Sequence, residues 1–251
     1  EASVIQWQWK EDVFPECDQF NGIHVGLVQS WKDIFPKKGE IYFAGALENN
    51  EDTGTLQYLA STAMEAGFST RVLDMQALDL QNGRFFDPAG ELVNRCFKLY
   101  PWEWMVDESP DGCLAEMEWL EPIWKLVMSN KAILATLYEL FPDSPYVLPC
   151  YLSRPRSGLF CKKPVFSREG HNVSVVDIRN WEEHVRIAET EGDYNTGAYV
   201  YQEYVEPTVY SGRYPVIGSW IIGGEAAGIG IRENRMEVTD NLSEFVPHII
   251  G

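Results

Sequence analysis

Lysine and arginine gather at one point of the chain, in Lys162-Lys163-Pro164-Val165-Phe166-Ser167-Arg168-Glu169-Gly170-His171-Asn172-Val173. Two lysines and an arginine stand around a turn closed by glycine, between segments of strand composition. Such a turn suits polyphosphate, because glycine lets backbone N–H groups approach closely while cations neutralise the oxygens. A solvated basic hairpin has the same composition. Period-two alternation puts Lys163 on a face with Cys161 and Val165, and Lys162 on the other with Phe160 and Pro164. One of the two lysines is therefore expected to point inward.

Three other positions carry groups that could serve such chemistry. On a helical wheel at about 100° per residue, Lys131 falls among Trp124, Val127, Leu134 and Tyr138. A lysine in an apolar arc either snorkels to water or meets an anion. In Glu225-Ala226-Ala227-Gly228-Ile229-Gly230-Ile231-Arg232, alternation puts Arg232 on a face otherwise made of Ala226, Gly228 and Gly230. Small neighbours leave room there, and a guanidinium suits carboxylate or phosphate. Bulges or sheet curvature would use the same glycines. Tyr199-Val200-Tyr201-Gln202-Glu203-Tyr204-Val205 reads as a strand whose end could offer backbone groups to an adenine, or could be purely structural.

The elements that must position these residues fall into two parts. Up to about residue 120, Ile41–Ala46, Arg71–Met75 and Arg95–Tyr100 have strand composition, and Thr55–Ala66 reads as an amphipathic helix stopped by Gly67. This βαβ rhythm favours a small sheet covered by helices. The acidic loop Asp107–Gly112 suggests a boundary, and beyond it Glu121–Phe141 has the length of one long helix with Pro122 in its first turn. Domains of 1–120 and 121–251 are expected.

A chain of 251 residues with 45% apolar residues has enough material for one broad or two modest domains. No apolar run approaches the ~18 residues of a membrane span, and no export leader is visible, so a soluble, cytoplasmic protein is expected. Its net charge of −18 argues against a nucleic-acid surface, so an anionic ligand must meet a local basic pocket. Cys17, Cys96, Cys113, Cys150 and Cys161 show no CxxC spacing, which disfavours a disulfide framework or zinc site. Ala44-Gly45-Ala46-Leu47-Glu48-Asn49 lacks the glycine fingerprint of dinucleotide enzymes. Trp102 and Trp104 could form a platform for a sugar or polyamine, or pack in a core or interface. The opening Glu1–Trp9 has helical apolar spacing but no methionine and no cap, as though cut from something longer with its apolar surface left exposed.

Several long motifs, in order over nearly the whole chain, resemble glutathionylspermidine synthase-like proteins. They are Ile5–Trp9, Asp18–Asn21, Phe97–Met105, Glu121–Lys125 followed by Ser129–Ala132, Lys163–Gly170, Ile217–Trp220 and Gly228–Glu233. The resemblance implies an α/β (α+β) chain, an ATP-grasp fold preceded by a pre-ATP-grasp-like βαβ substrate domain. It implies an ATP-dependent carbon–nitrogen ligase joining a small-molecule carboxylate to an amine through an acyl-phosphate, with ATP and Mg2+ as cofactors. By the family pattern, Lys131 and Lys163 reach the ATP phosphates, and Arg168 and Gly170 belong to the phosphate turn. Gln202, Glu203 and Tyr204 line the adenine, and Arg232 stands at the reacting phosphate.

Two departures bear on that expectation. The family's magnesium-binding carboxylate and asparagine lie just ahead of the position of Glu1, with part of the thiol-peptide site, and Asp240 and Asn241 do not match them. These residues alone are thus expected to have little ligase activity. No amidase half is present, and Thr239–His248 looks more like the stand-alone acid–amine ligases of the family. The substrate class is then a peptide or amino-acid carboxylate with an amine, and the negative charge favours a cationic amine.

Overall fold

A computed structural model describes residues 1–187, 190–192, 194, 197–238 and 243–251. Two compact units emerge: residues 1–126 with 219–229 and 249–251, and residues 127–218 with 230–248.

The first unit contains helices α1 (Val4–Val13), α2 (Ile23–Ile34), α3 (Asn50–Glu65), α4 (Trp102–Glu108) and α5 (Pro110–Cys113). Its strands are β1 (Glu40–Gly45), β2 (Ser69–Asp74), β3 (Asp79–Gln81), β4 (Arg84–Phe86), β5 (Leu92–Val93), β6 (Arg95–Leu99) and β7 (Glu118–Leu120). The expected βαβ unit is β1–α3–β2. Helix α3 starts earlier than the sequence suggests because Asn49 caps it, its side chain accepting from Glu51 N at 2.8 Å. The sheet has order β2-β1-β6-β7, and each pair is parallel. Central strand β1 is buried on both faces, as parallel sheets require. Ile41 and Phe43 pack with Trp31, Leu56 and Phe68, and Tyr42 and Ala44 pack with Cys96, Trp102 and Trp119. In α1 the buried residue is polar Gln6, which donates to Ile229 O at 3.0 Å, while Val4, Ile5 and Trp7 are exposed.

The second unit is built around an antiparallel sheet. Helix α6 (Leu126–Ser129) leads into it, followed by α7 (Ala132–Leu140) and strands β8 (Cys150–Tyr151), β9 (Gly158–Pro164), β10 (Ser174–Arg179), β11 (Glu182–Ile187) and β12 (Tyr199–Glu203). The strand order is β11-β10-β9-β12-β8. Phe160, Val176, Ile178 and Tyr201 form the core on one face; Cys150, Val200 and Val165 meet Leu134, Ala135 and Tyr138 of α7 on the other. Strands β13 (Tyr214–Ile222), β14 (Glu225–Asn234) and β15 (Glu244–Val246) form a separate sheet.

The single helix expected over 121–141 is not formed. Residues Ile123–Lys125 make a 3₁₀ turn, α6 follows, and a break at Asn130-Lys131 precedes α7. Two hydrogen bonds account for the break. Lys131 N donates to Val165 O at 2.8 Å instead of to the preceding helical turn, and Asn130 Oδ1 accepts from Ala132 N at 2.9 Å to cap the new helix. Trp124 and Val127, expected beside Lys131 on one apolar arc, are exposed.

Candidate active site

Strand β9 sends its two lysines to opposite faces. Lys163 lies opposite Val200 of β12 and Lys162 opposite Tyr201. Because parity is shared across a ladder, Lys163 belongs to the face that α7 covers and Lys162 to the face of Phe160 and Tyr201. The expectation that one lysine points inward resolves differently: both are half-buried, and their partners differ. Lys162 Nζ pairs with Glu183 Oε1 at 2.6 Å, and Tyr201 donates to the other carboxylate oxygen at 3.1 Å. Burial is the largest single influence and works against the Lys162 charge, but the bond to Glu183 and its charge, together with Tyr201 and Tyr199, exceed it and hold the pKa above the usual lysine range. Lys163 Nζ instead meets the neutral amide of Gln202, donating to its Oε1 at 2.7 Å.

Lys131 reaches the same region from the break before α7. Its Nζ donates to Ser167 O at 2.6 Å and to Ser167 Oγ at 2.9 Å, in the loop that follows β9. In that loop Glu169 and Gly170 both have positive φ, 52° and 73°, and His171 N donates to Arg168 O at 2.8 Å to close the turn. Consecutive left-handed residues turn successive amides to one side, a geometry that favours anions. Thr190 braces the turn from beneath, its hydroxyl bonded to Gly170 O. Arg168 is exposed at the turn.

The strand expected to line an adenine is β12. Gln202 lies between Cys150 and Cys161 in register. Glu203 N donates to Pro149 O at 2.7 Å and Tyr204 N to Leu159 O at 3.0 Å, so these amides already have partners in the protein. The Tyr204 hydroxyl donates to Glu237. Burial first, then this bond, raise the Tyr204 pKa well above the usual tyrosine range. Burial also raises the Cys161 thiol, against the pull of Lys163 and with a further push from Glu237. Cys161, Lys163, Tyr204 and Glu237 thus lie within electrostatic reach in a chain of neighbours.

Arg232 is not part of this hydrogen-bonded group. It is exposed on β14 opposite Phe245, and its side chain makes no hydrogen bond or ion pair among the described residues. The room expected beside it is partly filled: a Cβ at Gly228 would come within 2.9 Å of Ile23 Cγ1 and 3.0 Å of Phe20 O. Glycine is required there by close approach of another segment.

The family model for the glutathionylspermidine synthase pre-ATP-grasp region matches residues 1–251. The chain belongs to this family. A Haemophilus influenzae protein named as an acid–amine ligase is 36% identical over 262 residues, covering 99% of this chain and 67% of that relative. Crithidia fasciculata trypanothione synthetase is 27% identical, over 98% of this chain and 42% of its own length. The Escherichia coli bifunctional glutathionylspermidine synthetase/amidase is 25% identical, over 100% of this chain and 45% of its own. The chain therefore spans two thirds of the first relative and less than half of the two synthetases. A solved structure from Methylobacillus flagellatus named as a γ-glutamylcysteine synthetase superposes with a TM-score of 0.51 at 9% identity, over 98% of this chain and 83% of that one, a likeness of fold. The family member has the expected α/β fold of ATP-grasp type with a pre-ATP-grasp-like part.

Two residues of this hydrogen-bonded group in the family member escaped sequence reasoning. Ser167 stands inside the basic motif, but its bond to a lysine 36 positions away has no local signal. Glu237 is 33 positions from Tyr204, in a segment with no motif of its own. Asp240 and Asn241 lie outside the described residues. Among the described residues no three His, Cys, Asp or Glu side chains converge as a metal site, and no helix is long and apolar enough to cross a membrane.

The first unit holds a different lysine. Lys98, on β6, is 9% exposed; its Nζ donates to Tyr100 O at 2.7 Å and lies 3.9 Å from the Trp102 ring centroid. Burial lowers its pKa to about 8, with Glu103 the leading opposing influence. Trp102 is thus a core residue, as the packing alternative had it, while Trp104 is 40% exposed and edge-on to Tyr100.

Proposed function

We propose that this chain serves an ATP-dependent carbon–nitrogen ligase that joins a peptide or amino-acid carboxylate to a polyamine-like amine. The observation that carries the reading is the approach of Lys131 and Lys163 from two different elements to one side of the β9–β12 ladder, beside a left-handed turn. Two cations and turned amides suit the oxygens of a triphosphate in charge and in donor type.

In the proposed reaction a carboxylate oxygen attacks the γ-phosphorus of ATP, the bond to the β-phosphate oxygen breaks, and ADP leaves. The amine nitrogen then attacks the acyl carbon of the acyl-phosphate, the carbon–oxygen bond to phosphate breaks, and the amine gives up a proton as phosphate departs. The first step brings two anions together, so its barrier falls where fixed positive charge offsets their repulsion. Lys131, Lys163 and the Gly170 turn would hold the phosphates, with Arg168 at the turn and Arg232 at the transferred group. Gln202, Glu203 and Tyr204 would receive the adenine. Two of their amides already have protein partners, so the base would be read by other groups of this strand.

Magnesium would be shared between the ATP phosphates and one or two carboxylates, and the resemblance assigns its protein ligands to a family motif that none of the described residues matches. Residues 1–120 would form the substrate side and 121–251 the nucleotide lobe, in a cytoplasmic protein.

The test is calorimetric titration of Mg-ATP into this chain and into a form extended N-terminally through the missing motif, with phosphate release measured on both. Binding by both, with phosphate release confined to the extended form, is the expected result. Binding without release in either would identify a nucleotide-binding module, and no binding by either would end the ATP reading.

A further inference from the structure

The turn that follows β14 links the exposed arginine to the nucleotide strand. Arg232 and Glu233 are zipped to Phe245 and Glu244 of β15, so the end of β14 is held in a ladder. Asn234 then organises the turn. Its Oδ1 accepts from Arg235 N at 2.7 Å and Met236 N at 3.3 Å, and its Nδ2 donates to Ser243 Oγ at 3.3 Å. Glu237 comes next on this braced stretch, and its carboxylate accepts the Tyr204 hydroxyl. Tyr204 is itself fixed through its backbone to Leu159 O of β9. A short, internally bonded path therefore runs from Arg232 through Asn234 and Glu237 to the end of β12.

We propose that Glu237 is a positioning residue, whose bond to Tyr204 sets where Arg232 stands relative to bound nucleotide. The inference rests on the ligase reading above. Glu237 need not touch substrate: a displacement of its turn would move the β14 end that carries Arg232, and charge stabilisation is sensitive to misplacement by about 1 Å. The proton stays on Tyr204 at neutral pH, so the carboxylate is the acceptor and an amide oxygen in its place would serve as well.

The test uses the full-length protein and needs no identified acid or amine. Modification of Arg232 by phenylglyoxal is followed by mass spectrometry with and without saturating Mg-ATP, alongside calorimetric Mg-ATP affinity. In the wild type Mg-ATP should slow modification of Arg232 at least 5-fold. Glu237→Gln should keep that protection, whereas Glu237→Ala and Tyr204→Phe should each lose most of it, and the double variant should lose no more than either. If Glu237→Ala fails to fold, Tyr204→Phe alone decides. Full protection in Tyr204→Phe, or bound Mg-ATP with no protection of wild-type Arg232, would overturn the inference while nucleotide binding stands. Absence of Mg-ATP binding to the wild type removes the ligase reading itself, and the inference falls with it.

Discussion

The two faces of the five-stranded sheet treat adjacent lysines in opposite ways. Lys162 is neutralised by Glu183 within a half-buried pair that two tyrosines flank, since Tyr201 bonds the same carboxylate and the ring of Tyr199 lies 4.7 Å from Nζ. Lys163, one residue on, meets an amide oxygen that orients it without cancelling its charge. A lysine matched to a carboxylate is part of the architecture; a lysine held by a neutral acceptor keeps its field for something else. Lys98 of the first unit is a third case, a cation held by a backbone carbonyl and an indole face in a core that opposes its charge.

Replacing the two β9 lysines separately tests the contrast most strongly. Lys163→Met should weaken Mg-ATP binding 10- to 100-fold, about 1.4–2.7 kcal/mol, in a calorimetric titration. Lys162→Met should leave affinity within 2-fold but lower stability by roughly 1–3 kcal/mol, because Glu183 is left half-buried without its cation. Equal loss of affinity in both would dissolve the distinction between the faces.

The pH dependence of Lys98 gives an intermediate effect. Its folded pKa of about 8 lies below the ordinary lysine value of 10.5, so between those values the unfolded chain binds more protons and stability rises with pH. Below pH 8 both states are protonated and the burial cost is fully present. Cys96, raised to about 12 by burial, acts in the opposite sense above the ordinary thiol value of 9.0, so the wild type alone would mix the two. Urea denaturation of Lys98→Met beside the wild type separates them: the variant's advantage should shrink by about 1–3 kcal/mol, discounted for residual solvent, from pH 8 to 10.5. A constant difference would mean that Lys98 stays charged throughout.

The smallest effect concerns the helix break that aims Lys131. Asn130→Ala removes the cap on Ala132 N and should cost about 1 kcal/mol, with Mg-ATP affinity lowered about 2- to 3-fold. Unchanged affinity together with the stability loss would show that the bond of Lys131 N to Val165 O positions the lysine without help from the cap.

Much of the first unit was legible because its signals are local. The strand composition of Ile41–Ala46, the helical pattern of Thr55–Ala66 and its stop at Gly67 each act within a few residues, and β1, most of α3 and β2 follow from them, while the cap at Asn49 starts α3 earlier than that pattern shows. The glycine turn after β9 was legible for the same reason, since a left-handed residue can be seen as a glycine. Helix 121–141 was misread because its length and composition do favour a helix. What interrupts it is a hydrogen bond to Val165, a residue whose nearness no window of sequence can reveal. Likewise the glycines before Arg232 signalled room, yet at Gly228 that room belongs to Phe20 and Ile23.

The sequence by itself determined which residues could do this chemistry and the family that carries them in this order, because residue type and spacing along the chain are local properties. Tertiary structure alone decided which lysine is cancelled by Glu183 and which is left to Gln202, where Lys131 points, and that Glu237 meets Tyr204. Those outcomes depend on the register between strands and on contacts across tens of residues. A side chain's electrostatic state is set by such neighbours in space, and local sequence does not contain them.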